Sequence, residues 1–150
     1  MMSRGTIGRP MEILLIEDGL IDARLTIAAL QKSGLKHRLT LTRDGAEAVR
    51  FLRREEQFTH VPRPDLILLD LHLPKKDGRE VLDDIRADPD LKRIPVVVLT
   101  ASDDPEDKLR TELQHVDSYM TKPVDFDKFL EVVRQLRKFW MADIVLPRMN

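Results

Sequence analysis

The chain has 150 residues, 42% of them hydrophobic and 34% charged, which gives room for one domain with a sizeable core. Its 25 Lys and Arg nearly cancel 26 Asp and Glu, leaving a formal charge of −1, so no overall basic field recruits nucleic acid or an anionic membrane. The absence of cysteine excludes disulfides, thiolate metal sites and cysteine nucleophiles.

Residues 1–10 lack the apolar core of a signal peptide and read as a flexible N-terminus. No apolar run approaches the roughly 18 residues that suggest a membrane span, so the expected location is cytoplasmic. The first strand is predicted over Met11 to Ile16 and runs into Glu17-Asp18. A helix follows from Leu20 to Ser33, with Ile21, Leu25 and Ala28 as its expected apolar face and Gly34 as its C-terminal cap. The second strand spans Arg38 to Thr42. Asp44, with Glu47 three residues later, then opens the second helix as a variant capping box. Glu55 to Pro64, with two prolines, reads as a surface loop.

The third strand, Asp65 to Leu69, stops on Asp70, and a third helix follows Asp77-Gly78 and runs to about Asp88. The fourth strand is Pro95 to Thr100. A fourth helix opens at Asp104-Pro105, where the missing proline N–H costs nothing. The fifth strand, Ser118 to Thr121, leads into Lys122-Pro123. The fifth helix starts after Asp125 and carries Phe126, Phe129, Leu130, Val133, Leu136 and Trp140 on a broad apolar face.

Alternating strands and helices imply an α/β fold: a doubly wound, five-stranded parallel sheet with helices on both faces. The nearly continuous Leu, Ile and Val of the third and fourth runs suit the sheet centre, and the more polar second and fifth runs suit its edges. Residues 11–139 are expected to form this domain and 140–150 a C-terminal extension, too short to be a second domain.

In such a sheet, Glu17, Asp18, Asp70, Thr100 and Lys122 fall along one rim, where ligands gather. Three carboxylates there repel one another unless a cation intervenes, and a hard divalent ion such as Mg²⁺ accepts oxygen ligands of this kind. Lys122 adds a positive charge and Thr100 a hydroxyl. The parts suit phosphoryl transfer, with the Asp70 carboxylate attacking phosphorus while the cation and Lys122 stabilise the equatorial oxygens.

The joint pattern resembles the receiver domain of two-component response regulators, a flavodoxin-like fold. The segments that carry the likeness are Ile13-Leu14-Leu15-Ile16-Glu17-Asp18, Leu68-Leu69-Asp70-Leu71-His72-Leu73-Pro74, Asp77-Gly78, Val98-Leu99-Thr100-Ala101 and Tyr119-Met120-Thr121-Lys122-Pro123. Phe51 to Glu55, Pro64 to Asp70, Lys75 to Leu82 and the tail around Phe139-Trp140-Met141 and Val145-Leu146-Pro147 are similar to stand-alone regulators paired with phytochrome-type histidine kinases.

The resemblance implies that the chain is a single-domain phosphoacceptor, not a turnover enzyme, which supports its own Mg²⁺-dependent phosphorylation and dephosphorylation. Asp70 would receive the group from a kinase phosphohistidine. Glu17, Asp18, Asp70 and the backbone carbonyl of His72 would hold Mg²⁺, and the Lys122-Pro123 bond would be cis. Thr100 and Lys122 would engage the phosphoryl group, and Tyr119 would swing inward as the switch. His72, where relatives often carry Asn, would alter the lifetime of the phosphoryl group; Gly19 is also often Asn or Asp in relatives. The implied partners are a histidine kinase, docking near Leu20, Arg24 and Pro123, and a second copy of the chain. That copy would pair through the face of the fourth helix, fifth strand and fifth helix and through the apolar tail Lys138 to Leu146. Neither nucleic acid nor membrane is an expected partner.

Three other readings fit less well. Phosphatases with an Asp nucleophile carry Asp-x-Asp on the first strand, whereas here the nucleophile candidate lies on the third and His72 occupies the second position. An adaptor that is never phosphorylated would not need the full set of site residues. A nucleotide-binding fold would need a glycine-rich loop after the first strand.

Overall fold

The computed structural model describes residues 9–100 and 116–136. The predicted fourth helix at Asp104-Pro105, Trp140 and the tail Lys138 to Leu146 lie outside them.

Five parallel strands, β1 (Met11–Ile16), β2 (His37–Thr42), β3 (Leu66–Asp70), β4 (Val96–Thr100) and β5 (Ser118–Thr121), form one sheet in the order β2-β1-β3-β4-β5. The expected edges and centre are borne out. Every residue of β3 and β4 is buried, while β2 and β5 are largely half-exposed. This is the burial that a sheet covered on both faces imposes on continuous aliphatic strands.

Four helices are described: α1 (Leu20–Lys32), α2 (Gly45–Leu52), α3 (Gly78–Ala87) and α4 (Phe126–Gln135). Alternate β1 residues separate two cores. Met11, Ile13 and Leu15 cluster with Ala29 and Leu30 of α1 and with Phe129 and Val133 of α4. Leu14 and Ile16 cluster with Val49 and Leu52 of α2 and with Val81 and Ile85 of α3. Phe129 is completely buried, and its truncation to Ala would cost about 3–5 kcal/mol.

Helix ends follow local chemistry. Gly34, at φ 77°, takes the left-handed position just past α1, as expected. The Asp44 carboxylate accepts from Glu47 N at 2.7 Å, but Glu47 Oε1 takes the N–H of Arg43 and not that of Asp44. The reciprocal capping box sits at α3, between Asp77 and Glu80. The Asp125 carboxylate accepts from the N–H groups of Asp127 and Lys128 and caps α4.

Two apolar faces are corrected. In α1, Ala23, Thr26, Ala29 and Leu30 are buried, whereas Ile21 and Leu25 are 76% and 48% exposed. The spacing of Ile21, Leu25 and Ala28 is helical, but small residues one step round the helix let its backbone approach the sheet, and that sets the phase. In α4, Phe126 is 36% exposed, while Phe129, Leu130, Val133 and Leu136 are buried as expected.

Candidate functional site

The carboxyl ends of β1, β3 and β4 converge as the alternating pattern predicts. Carboxylate oxygens of Glu17, Asp18 and Asp70 lie within 4.8 Å of one another. Glu17 and Asp70 are buried, and Asp18 is the most open of the three. Lys122, carried past β5, reaches back over the rim. Its Nζ donates to Glu17 Oε1 at 2.8 Å, to Asp22 Oδ2 at 3.1 Å and to Asp70 Oδ2 at 3.2 Å. Its backbone is fixed by Lys122 N donating to the carbonyl of Thr100 at 2.7 Å, and the Lys122-Pro123 bond is cis.

The loop after β3 holds Asp70 from the other side. The N–H of His72, whose residue is exposed, donates to Asp70 Oδ1 at 3.1 Å. Gly78 N donates to the Leu71 carbonyl at 3.0 Å, and a Cβ at Gly78 would come within 2.5 Å of the Asp70 carbonyl oxygen. Only glycine allows α3 to start so close to the phosphoacceptor candidate's own backbone. Gly45 has the same role at α2, where a Cβ would come within 1.9 Å of the Lys76 carbonyl oxygen.

Thr100 ends β4, buried, one residue beyond the Asp70–Leu99 register pair. Tyr119 pairs in register with Val98 and packs, half-buried, against the core shared with α2 and α3. It stands on the strand leading to Lys122 and not in the carboxylate cluster. Gly19 lies at φ −77°, which any residue adopts, and a Cβ there would make ordinary contacts, so the site does not require glycine.

Charge in the site is unbalanced: the Lys122 ammonium is shared by the carboxylates of Glu17, Asp22 and Asp70, and Asp18 adds a fourth carboxylate beside them. Burial pushes the Glu17 carboxyl up to about 7, the nearby Asp70 carboxylate adds to this, and Lys122 opposes it. Burial pulls the Lys122 ammonium down, but the carboxylates of Glu17, Asp70 and Asp22 outweigh it and hold it above its ordinary value. Carboxylate oxygens crowded this closely, with Glu17 and Asp70 buried, fit a divalent cation with oxygen ligands, and Glu17, Asp18 and Asp70 are the residues that would hold one.

Two contributors escape the sequence patterns. Asp22, in the first turn of α1, is a partner of Lys122. Arg43, just past β2, donates through Nε and Nη2 to the Asp18 carbonyl at 3.2 and 2.8 Å, tying the acid pair to the neighbouring strand. Asp22 is legible in hindsight, because Gly19 leaves α1 without a side-chain cap and the acid three residues on is free to turn elsewhere.

The model of the response regulator receiver domain matches residues 13–134. Response regulator Rcp1 of Synechocystis sp. is 46% identical over 138 residues, covering 92% of this chain and 94% of the relative. The crystal structure of the phosphorylated cyanobacterial phytochrome response regulator RcpA superposes with a TM-score of 0.74 at 45% identity, over 93% of this chain and 99% of that one. The Mn²⁺-bound form of Rcp1 gives 0.72 at 45% identity, over 93% and 100%. A buried aspartate at the end of β3, an acid pair after β1 and a lysine after β5 thus sit in a fold and a sequence that agree, and the chain belongs to the response regulator receiver family.

Proposed function

We propose that Asp70 accepts a phosphoryl group from a histidine kinase of the phytochrome type, with Mg²⁺ as the cation. The observation that carries this is the two-sided grip on the Asp70 carboxylate: His72 N–H on Oδ1 and Lys122 Nζ on Oδ2, beside Glu17 and Asp18. One carboxylate oxygen stays oriented for attack while the ammonium stands ready for the incoming negative charge. Mg²⁺ held by Glu17, Asp18, Asp70 and the His72 carbonyl would neutralise charge on the transferred group. Thr100 supplies a hydroxyl to the same group. No general base is needed, since the nucleophile is already an anion, and the same apparatus would support the later hydrolysis of the acyl phosphate.

The phosphoryl group adds about −1.5 to −2 charges at one point and must bias a two-state element to act at a distance. Tyr119 is the proposed element, through its packing on the core behind β4. A second copy of the chain, engaged through β5, α4 and the segments flanking them, is the proposed route for output. His72, exposed beside Asp70, is proposed to tune how long the phosphoryl group persists.

The reading is tested by incubating the protein with acetyl phosphate and Mg²⁺. The expected product is an adduct of about 80 Da, stable in acid and labile in alkali, absent in Asp70→Asn. An unmodified wild type, or an adduct that survives in Asp70→Asn, would overturn it.

A further inference from the structure

Lys122 has three carboxylate partners, and only two of them, Glu17 and Asp70, belong to the cluster able to hold a cation. The third, Asp22, is oriented by its place in α1. It is the third residue of a helix whose N-cap is Gly19 and offers no side-chain cap. In a capping box an acid at this position turns back to the N-cap N–H. Here that N–H is taken by Glu17 Oε2 at 3.2 Å. Asp22 is therefore free to turn toward the rim. Its Oδ2 and Glu17 Oε2 both lie 3.5 Å from where a Gly19 Cβ would stand, which places the two acids side by side. The positive end of α1 favours a carboxylate in that first turn.

From this arrangement we infer that Asp22 is a positioning residue for Lys122, receiving the ammonium as a divalent cation claims Glu17 and Asp70. The inference rests on the reading of Glu17, Asp18 and Asp70 as the cation site. A cation drawing on these carboxylates weakens their hold on Lys122 and adds its own repulsion at short range. Asp22 is the partner whose attraction survives, so it contributes a larger share of Lys122's stabilisation with the cation present than without it. By linkage, that difference strengthens cation binding, although Asp22 is not a ligand. It also keeps Lys122 within reach of the Asp70 carboxylate, where the incoming group will need it.

The test is a double-mutant cycle read by Mg²⁺ titration of the full chain, followed by calorimetry or amide chemical shifts. Asp22 is half-exposed, so Asp22→Asn is expected to fold, with wild-type amide spectra as the check. Asp22→Asn should weaken Mg²⁺ binding by about threefold or more, and the same change made in Lys122→Met should have little effect. The Lys122 side-chain resonances in the Mg²⁺-bound state should show its order lost in Asp22→Asn. An equal loss of affinity in both backgrounds would mean that Asp22 acts on the cation directly and would overturn the inference, as would no loss in either. Failure of the wild type to bind Mg²⁺ or Mn²⁺ at all would overturn the site reading and the inference with it.

Discussion

Lys122 Nζ stands 2.8 Å from Glu17 Oε1 and 3.2 Å from Asp70 Oδ2, nearer to the acid that follows β1 than to the proposed phosphoacceptor. The lysine thus neutralises a buried acidic site, and in the proposed function it is also the partner of an incoming anion. Both roles depend on one side chain delivered from the end of β5, and they can be separated by adding or withholding the cation.

Lys122→Met leaves Glu17 and Asp70 buried without a cation. In chelator, this variant should lose about 3 kcal/mol of stability, the scale for removing one partner of a buried pair. Saturating Mg²⁺ should recover much of that loss by supplying the missing positive charge. Phosphorylation by acetyl phosphate should slow by about a hundredfold, as when one charge-stabilising donor is removed from a reacting centre. Urea denaturation with and without Mg²⁺, together with the rate of adduct formation, reads both effects.

The pH dependence of the cation-free protein should carry the signature of Glu17. Its carboxyl is raised from 4.5 to about 7 by burial. Between those values the folded state holds a proton that the unfolded chain has released, so stability falls as pH rises through this window and levels off above it. Glu17→Gln should flatten that segment of the profile. Lys122 acts at the other end. Its ammonium is held above its ordinary 10.5, so its contribution is fully present below that value and is lost as pH rises past its folded pKa. Denaturation midpoints measured in chelator from pH 5 to pH 8 check the Glu17 effect.

The β-strands and the rim acids were readable from the chain because each depends on a local pattern. β3 and β4 are aliphatic throughout, and Asp70 and Thr100 end them. The phase of α1 was not readable in the same way. Ile21, Leu25 and Ala28 have helical spacing, but Ala23 and Ala29 are buried with Leu30 in the core because small residues let the helix approach the sheet, and that is decided by packing. Asp22 and Arg43 escaped for a related reason. Each acts across elements, on Lys122 exactly one hundred positions away and on the Asp18 carbonyl, and no spacing rule in the sequence links such pairs.

Gly78→Ala tests how tightly the start of α3 is fitted to the end of β3. A Cβ there would meet the Asp70 carbonyl oxygen at 2.5 Å and Leu71 Cα at 2.6 Å, both backbone atoms that cannot swing aside. The helix or the end of β3 must shift, at a cost of about 1–3 kcal/mol. A shift at the end of β3 carries Asp70 with it, so adduct formation should fall further than stability alone explains. Asp77→Ala, which removes the cap of the same helix without crowding β3, is the control and should cost about 1 kcal/mol while leaving the rate of adduct formation in the folded protein near wild type.

Ile21→Asp separates chemistry at Asp70 from recognition by a kinase. Leu20, Ile21 and Leu25 are exposed on α1, in the region where the family resemblance implies kinase docking, near Leu20, Arg24 and Pro123. Ile21 is 76% exposed, so its replacement should change stability by no more than about 0.5 kcal/mol. Phosphorylation by acetyl phosphate, which needs no docking surface, should be unchanged. Phosphotransfer from a phosphorylated phytochrome-type histidine kinase should fall by about tenfold, the loss expected when an apolar anchor of an interface is replaced by a charge. Equal rates of phosphotransfer for wild type and variant would remove this face of α1 from the kinase contact and shift attention to Pro123 and the loop after Lys122.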